Sequence, residues 1–73
     1  MLRAYRENGM PVDHNDVVTD FRGRNWLYVA PVRPSREGYA GKIRVKDENG
    51  NIRDFYDTVF KLTVEELDIG TSQ

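Results

Sequence analysis

Hydrophobic and polar residues alternate along most of this chain, and this pattern predicts short β-strands separated by turns. The alternation is clearest at residues 41–47, where Ile43 and Val45 are predicted to point inward. The cations on either side of them, Lys42, Arg44 and Lys46, are predicted to point outward. Residues 25–32 carry apolar side chains on both faces, which is typical of a strand partly buried on both sides. Residues 16–21 show a further strand-like pattern.

The strongest turn signal is Asn49-Gly50, because both residues tolerate a positive φ angle. This pair predicts a hairpin in which residues 51–56 return as the partner of the preceding strand. We expect Ile52 and Phe55 of the returning strand to lie near the core.

The hairpin is followed by a predicted tight helical turn at residues 57–60 and by a strand-like pattern at 62–64. An alternative for the last segment is a capping box at 63–66 that opens one helical turn. Trp26 is the single tryptophan of the chain. We expect it in the core, packed near the phenylalanines of the hairpin and of the helical turn, more than at an interface.

The two ends of the chain are predicted to lie outside the domain. Residues 1–14 are polar and contain Gly9 and Pro11, so they are expected to form an N-terminal arm that need not be ordered. The domain then covers 15–69, and residues 70–73 form a tail.

Five short strands and one helical turn place the chain in the mainly all-β class, as a small barrel or a strongly bent antiparallel sheet. The order of elements resembles the Src-homology-3-like small β-barrel, and residues 17–23, 49–50 and 55–62 carry the resemblance. It implies a five-stranded barrel over 15–69. Peptide-binding members carry an acidic loop where residues 33–37 are basic here, so the resemblance does not imply proline-rich ligands.

The composition excludes several kinds of site and predicts the compartment in which the protein acts. The 73 residues contain no cysteine, which excludes disulfides and thiolate zinc sites. No apolar run approaches the roughly 20 residues that a membrane span needs, and the N-terminus lacks the apolar stretch of a signal peptide. A soluble, cytoplasmic protein without a membrane partner is therefore expected.

The net charge of −1 hides two opposed regions, since basic residues dominate 22–46 and acidic residues dominate 47–73. Lys42, Arg44 and Lys46 alternate along the strand at 41–47, so they are expected to lie on one face at intervals of about 7 Å. Arg33 and Arg36 in the preceding loop are expected to extend this row of cations. We call the predicted partner-binding set the basic strand face. It consists of Arg33, Arg36, Tyr39, Lys42, Arg44 and Lys46.

Because such a face attracts acidic surfaces, it indicates a non-enzymatic protein-interaction or regulatory module, similar in style to small accessory proteins of phages and bacteria. Self-association is compatible with the opposed charges. The alternative is binding of single-stranded nucleic acid or RNA by the same face, with Tyr28 and Tyr39 stacking on bases. Asp54 and Asp57 discriminate between the two, because pairing with the basic strand would neutralise a phosphate footprint.

Catalytic and metal chemistry find little support in the sequence. The only histidine, His14, lies in a polar turn with poor geometry for a metal site, and we expect no metal and no cofactor. Glu65, Glu66 and Asp68 are adjacent carboxylates of a kind that is usually solvated. A domain this small is also expected to have little room for a pocket of several hundred Å³. The chain is therefore not expected to be an enzyme.

Overall fold

The computed structural model describes residues 2–33 and 41–66, which form six β-strands and one 3₁₀ turn. The elements are β1 (Leu2–Tyr5), β2 (Val17–Thr19), β3 (Asn25–Val32), β4 (Lys42–Lys46), β5 (Ile52–Tyr56), the 3₁₀ turn (Asp57–Phe60) and β6 (Thr63–Glu66). The prediction of a mainly β fold with one short helical turn is confirmed. The last segment is a strand, not the helical turn that was its alternative.

The strands form two antiparallel sheets. One has the order β2-β3-β4-β5, and the other pairs β1 with β6. Within the described residues the two sheets are not hydrogen-bonded to each other, so they do not close into a barrel.

The core lies between the two sheets and follows the alternation of the strands. Ile43 and Val45 of β4 are buried, while Lys42 and Arg44 are exposed, which confirms the predicted inward and outward assignment. Within the described residues, the buried apolar set is Ala4, Val12, Val18, Trp26, Tyr28, Ile43, Val45, Phe60 and Leu62.

Trp26 anchors an aromatic cluster at one end of the core. Its ring centroid lies 5.2 Å from that of Phe55 and 6.5 Å from that of Phe60, in edge-to-face arrangements. Aromatic pairs of this geometry stabilise a core beyond their buried area. The prediction that Trp26 packs in the core near these phenylalanines is confirmed.

The N-terminal segment differs from the arm that was expected. Residues 2–5 form β1 and pair with β6, and Ala4 is 0% exposed. Val12 is also buried, and its N–H donates to the carbonyl of Ala4. The segment looks polar in sequence because Arg3 and Arg6 flank a small buried residue, while its strand partner is about sixty residues away.

The assignment of Ile52 to the core is wrong, because this side chain is 58% exposed. Phe55 packs partly buried against the core, as expected. Residues three apart on a strand point to opposite faces, so Ile52 and Phe55 cannot both point inward.

Asp57 connects the 3₁₀ turn to the residue before β4 and to β6. Its N–H donates to the carbonyl of Gly41, and its carboxylate accepts the N–H of Val64 at 3.2 Å. At this point β4 and β6 approach closely, since a Cβ at Gly41 would lie 2.7 Å from the Cβ of Val64. Asp57 is buried and therefore does not neutralise the basic strand, as was considered from the sequence.

Three turns share one backbone geometry, and they span residues 6–10, 20–24 and 47–51. In each, the N–H of the first residue donates to the carbonyl of the fifth. The fourth residue is a glycine with a positive φ of 86–88°, whose N–H donates to the carbonyl of the first. This is a type I turn followed by a glycine bulge, which is favoured in three- to five-residue hairpin loops.

Candidate interaction surfaces

The three members of the basic strand face that lie on β4 are Lys42, Arg44 and Lys46, and the central one, Arg44, is neutralised. Arg44 donates to both carboxylate oxygens of Asp54, at 2.9 and 3.1 Å. This hydrogen-bonded pair raises the pKa of Arg44 and lowers that of Asp54. Of the two arrangements considered from the sequence, the structure has the one in which Asp54 pairs with the basic strand.

The other described members of this face also have neighbours. Arg33 forms an ion pair with Glu66, and this hydrogen bond lowers the pKa of Glu66 to about 2. The Lys42 ammonium lies 5.2 Å from the ring centroid of Tyr56. Lys46 is half-buried. Among residues 2–33 and 41–66, the predicted face is thus not a continuous stripe of unpaired positive charge.

Two members, Arg36 and Tyr39, lie outside the described residues. The other tyrosine considered for base stacking, Tyr28, is buried, and burial raises its pKa to about 12. Its hydroxyl group has no hydrogen-bond partner among the described residues. Tyr28 is therefore a core residue and not a stacking surface.

A second charged surface was not expected from the sequence. It is an open groove of about 510 Å³ between the turn at 20–24 and strand β5, and we call it the arginine groove. It is larger than the pocket that a domain of this size was expected to hold. The lining residues are Asp20, Phe21, Arg22, Arg24, Trp26, Arg53, Phe55 and Val59.

Asp20 organises the turn side of the arginine groove. One oxygen of its carboxylate accepts the backbone N–H groups of Arg22 and Arg24, and the other accepts the indole N–H of Trp26 at 3.1 Å. Partial desolvation raises the pKa of Asp20, but these hydrogen bonds outweigh it and lower the pKa overall. Trp26 is thereby held with one ring face toward the groove, and the Arg24 guanidinium lies 4.4 Å from the ring centroid.

The remaining cations of the arginine groove are exposed. Arg22 lies 5.5 Å from the ring centroid of Phe21, and Phe21 is itself 69% exposed at the tip of the turn. Arg53 projects from β5 on the far side of the groove. In the described part of the chain, none of these three arginines forms an ion pair.

Sequence reasoning missed the arginine groove because its two sides are about thirty residues apart. The local signal was present, since Arg22 and Arg24 flank a turn glycine just before Trp26. What the sequence did not reveal is that Arg53 and Phe55 point to the same side of the sheet as Trp26, where they complete the groove.

No group of histidine, cysteine and carboxylate side chains within 2–33 and 41–66 could hold a metal ion. His14 instead places its Nδ1 atom 3.1 Å from the carbonyl oxygen of Val29. A helix that could span a lipid bilayer is not found in this part of the chain.

No family model, curated protein or solved structure matches this chain. The resemblance to the Src-homology-3-like small barrel therefore stays a prediction, and any argument about function has to come from the surfaces described above.

Proposed function

We propose that this chain is a small non-enzymatic protein-interaction module whose arginine groove docks an acidic segment of a partner protein. The observation that carries the proposal is the contrast between the two basic surfaces. The described arginines of the basic strand face form direct ion pairs with carboxylates, whereas those of the arginine groove form none in the described residues and interact only at longer range with Asp20 and Asp47. An arginine outside a direct ion pair can bind an external carboxylate without first breaking one.

The chemistry of the arginine groove suits anionic groups, carboxylates among them. The guanidinium group presents a planar fork of donors that matches a carboxylate in bidentate geometry. Arg24 is partly preorganised by its contact with the Trp26 ring, which lowers the entropy lost when it binds a ligand. Arginine and aromatic residues together are also the residues that most often dominate binding energy at interfaces.

The groove also offers apolar contact area between its cations. Phe55 and Val59 are partly buried on its floor, and Phe21 stands exposed at its rim. A volume of about 510 Å³ suits the side chains of a short segment rather than a whole domain face. We therefore expect the ligand to be an acidic segment that also carries an apolar or aromatic side chain.

The carboxylate in the groove supports binding over catalysis. Asp20 accepts three hydrogen bonds from its own turn and from Trp26, and its pKa is lowered. A carboxylate with a low pKa is a weak base near neutral pH, so Asp20 is better suited to hold the turn than to move protons. The proposal keeps the expected setting, a small accessory protein of a phage or bacterium that acts in the cytoplasm.

The test is a titration of the protein with a fluorescent peptide of aspartates and glutamates around one tryptophan, in parallel with a labelled single-stranded oligonucleotide. The variant is Arg22→Glu with Arg24→Glu. The bonds to Asp20 come from the backbone of both residues, so this turn can persist. We expect affinity for the peptide to fall about tenfold or more, since like charges then face each other.

The matched control is Lys42→Glu with Lys46→Glu, which changes the net charge equally and leaves the ion pair of Arg44 intact. We expect this control to bind the peptide almost as the wild type does. An equal loss in both variants would identify the basic strand face, or net charge alone, as the determinant. Binding of the oligonucleotide but not of the peptide, with affinity that falls steeply with salt, would establish the nucleic-acid alternative.

A further inference from the structure

Strand β5 is an edge strand whose backbone can accept another strand. The N–H of Asp47 donates to the carbonyl of Asn51, and that of Asp57 donates to the carbonyl of Gly41, so both ends of the β4–β5 hairpin are hydrogen-bonded pairs. Because such pairs alternate in an antiparallel ladder, the backbone groups of residues 53 and 55 face β4. Those of 52, 54 and 56 face away from it, and within the described residues no strand pairs with them.

The opposite edge of the same sheet is protected, and the comparison shows what β5 lacks. Strand β2 has only three residues, and the Arg6 guanidinium donates to the backbone carbonyl of Val17 at 3.3 Å. Short edges and covered backbone groups are common devices against pairing. Strand β5 has five residues, no proline and a regular ladder with β4.

The side chains of β5 add apolar area to this open edge. Ile52 is 58% exposed and Tyr56 is 52% exposed, one at each end of the strand on the outer face. Both are large hydrophobic side chains that the fold of one copy leaves in solvent.

We propose that a second copy of this chain pairs with β5 in antiparallel orientation, about a two-fold axis at Asp54. This is the register that uses all three outward-facing residues, since it pairs residue 52 with 56, 54 with 54 and 56 with 52. It brings the exposed Ile52 of each copy against Tyr56 of the other. A β-branched side chain opposite an aromatic one is a pair that stabilises an antiparallel ladder.

Charge at the two-fold axis is compatible with this register. Two aspartates directly opposite each other would be unfavourable on their own. Each Asp54, however, is held in a bidentate pair by Arg44 of the same copy, on the neighbouring strand and the same face. The outer face of the joined sheet would then carry two adjacent neutralised pairs.

The second copy also contributes to the arginine groove. On the inner face, this register places Arg53 of one copy opposite Phe55 of the other, and both residues line the groove in each copy. Two grooves would thus meet across the axis, with an aromatic ring from the second copy beside each Arg53. The pairing itself rests on the edge geometry and does not depend on what the groove binds.

The first experiment measures molecular mass by sedimentation equilibrium from micromolar to millimolar protein. We expect the wild type to dimerise, Ile52→Lys to weaken dimerisation about tenfold or more, and Val17→Lys to leave it unchanged. Val17 is a fair control because it is 53% exposed at the opposite edge of the same sheet. A wild type that stays monomeric at millimolar concentration overturns the proposal, as does a dimer that resists Ile52→Lys.

The second experiment tests the register by cross-linking, since the chain has no cysteine of its own. In a hydrogen-bonded pair the two Cα atoms are about 5.5 Å apart, within reach of a disulfide. Asp54→Cys should therefore form covalent dimers on mild oxidation. Ile52→Cys should not, because two cysteines at this position would lie about 13 Å apart. Equal cross-linking at both positions, or at 52 alone, would exclude this register.

Discussion

The turns at residues 20–24 and 47–51 have the same backbone, and they differ in what their side chains do. Both begin with an aspartate whose carboxylate oxygen accepts the N–H groups two and four residues later, at 2.9 Å in every case. Both carry glycine at the fourth position with φ near 87°. The two turns therefore share the sequence pattern Asp-x-x-Gly-x and differ in their two middle residues.

The two turns differ in the hydrogen-bond partner of the second carboxylate oxygen. In Asp47 it accepts the side-chain N–H of Asn51, at the end of the same turn. In Asp20 it accepts the indole N–H of Trp26, which belongs to the aromatic cluster of the core. The carboxylate of Asp47 thus bonds within its own turn, whereas that of Asp20 also bonds to Trp26, which lines the arginine groove.

The tips of the two turns differ more. One presents Glu48 and Asn49, which are polar and ordinary for a solvated turn. The other presents Phe21, the most exposed large hydrophobic side chain of the described residues, next to Arg22. Because an identical backbone forms without them, Phe21 and Arg22 are not required by the turn. Their presence at the rim of the arginine groove is the feature that the proposed docking of an acidic segment would explain.

The largest expected effect on stability comes from the glycines that the turns share. Gly23→Ala and Gly50→Ala should each lower the free energy of unfolding by about 1–2 kcal/mol, because a side chain disfavours the left-handed conformation. No heavy atom lies within 4 Å of a Cβ built at either position, so the cost is in the backbone alone and should be similar. Urea denaturation measures both, and a cost at only one turn would show that the two are not equivalent.

The β4–β5 hairpin shows which parts of the fold could be predicted from the sequence. Asn49-Gly50 identified the β4–β5 hairpin, whose loop spans residues 47–51 where the sequence predicted 48–50. Alternation placed Ile43 and Val45 in the core, because period-two patterning is a local property of a half-buried strand. Both successes depend on residues close to each other in the chain.

The features that were not predicted depend instead on contacts between residues that are not close in the chain. Strand β1 was missed because its partner is β6, at the other end of the described chain, and its own pattern is too short to stand out. The arginine groove was missed because Arg24 and Arg53 meet only through the sheet. The basic strand face was expected to bind a partner, but whether Arg44 was paired depended on the register of the hairpin, which places Asp54 opposite it.

A smaller effect is expected from the two aspartates at low pH. The pKa of Asp47 is lowered mainly by the N–H of Asn51, and hydrogen bonds also lower that of Asp20, both from an ordinary value of 3.8. A carboxyl group with a depressed folded pKa adds stability above its unfolded pKa, and this stability is lost as the pH falls through the folded pKa.

The wild type should therefore lose stability as the pH falls below about 4. Asp47→Asn and Asp20→Asn should each be less stable at pH 7 and should each show a shallower loss on acidification. Denaturation curves across this pH range measure the difference in slope. The slope should flatten in both variants if the two carboxylates act alike, whereas an unchanged slope in one would assign that aspartate no pH-linked role.

The smallest effect on stability should come from exchanging the tips. Phe21→Glu with Arg22→Asn gives the first turn the tip of the second, and Glu48→Phe with Asn49→Arg does the reverse. All four side chains are exposed and the turn bonds come from the backbone, so each double variant should unfold within about 0.5 kcal/mol of the wild type. A larger loss in the first would mean that Phe21 stabilises the fold, and its exposure would then need no ligand to explain it. If stability is unchanged and peptide affinity still falls, the exposed phenylalanine is accounted for by binding alone. The reverse exchange should not raise the affinity for the peptide. In the turn at 47–51 the carboxylate of Asp47 accepts a hydrogen bond from Asn51 and not from Trp26.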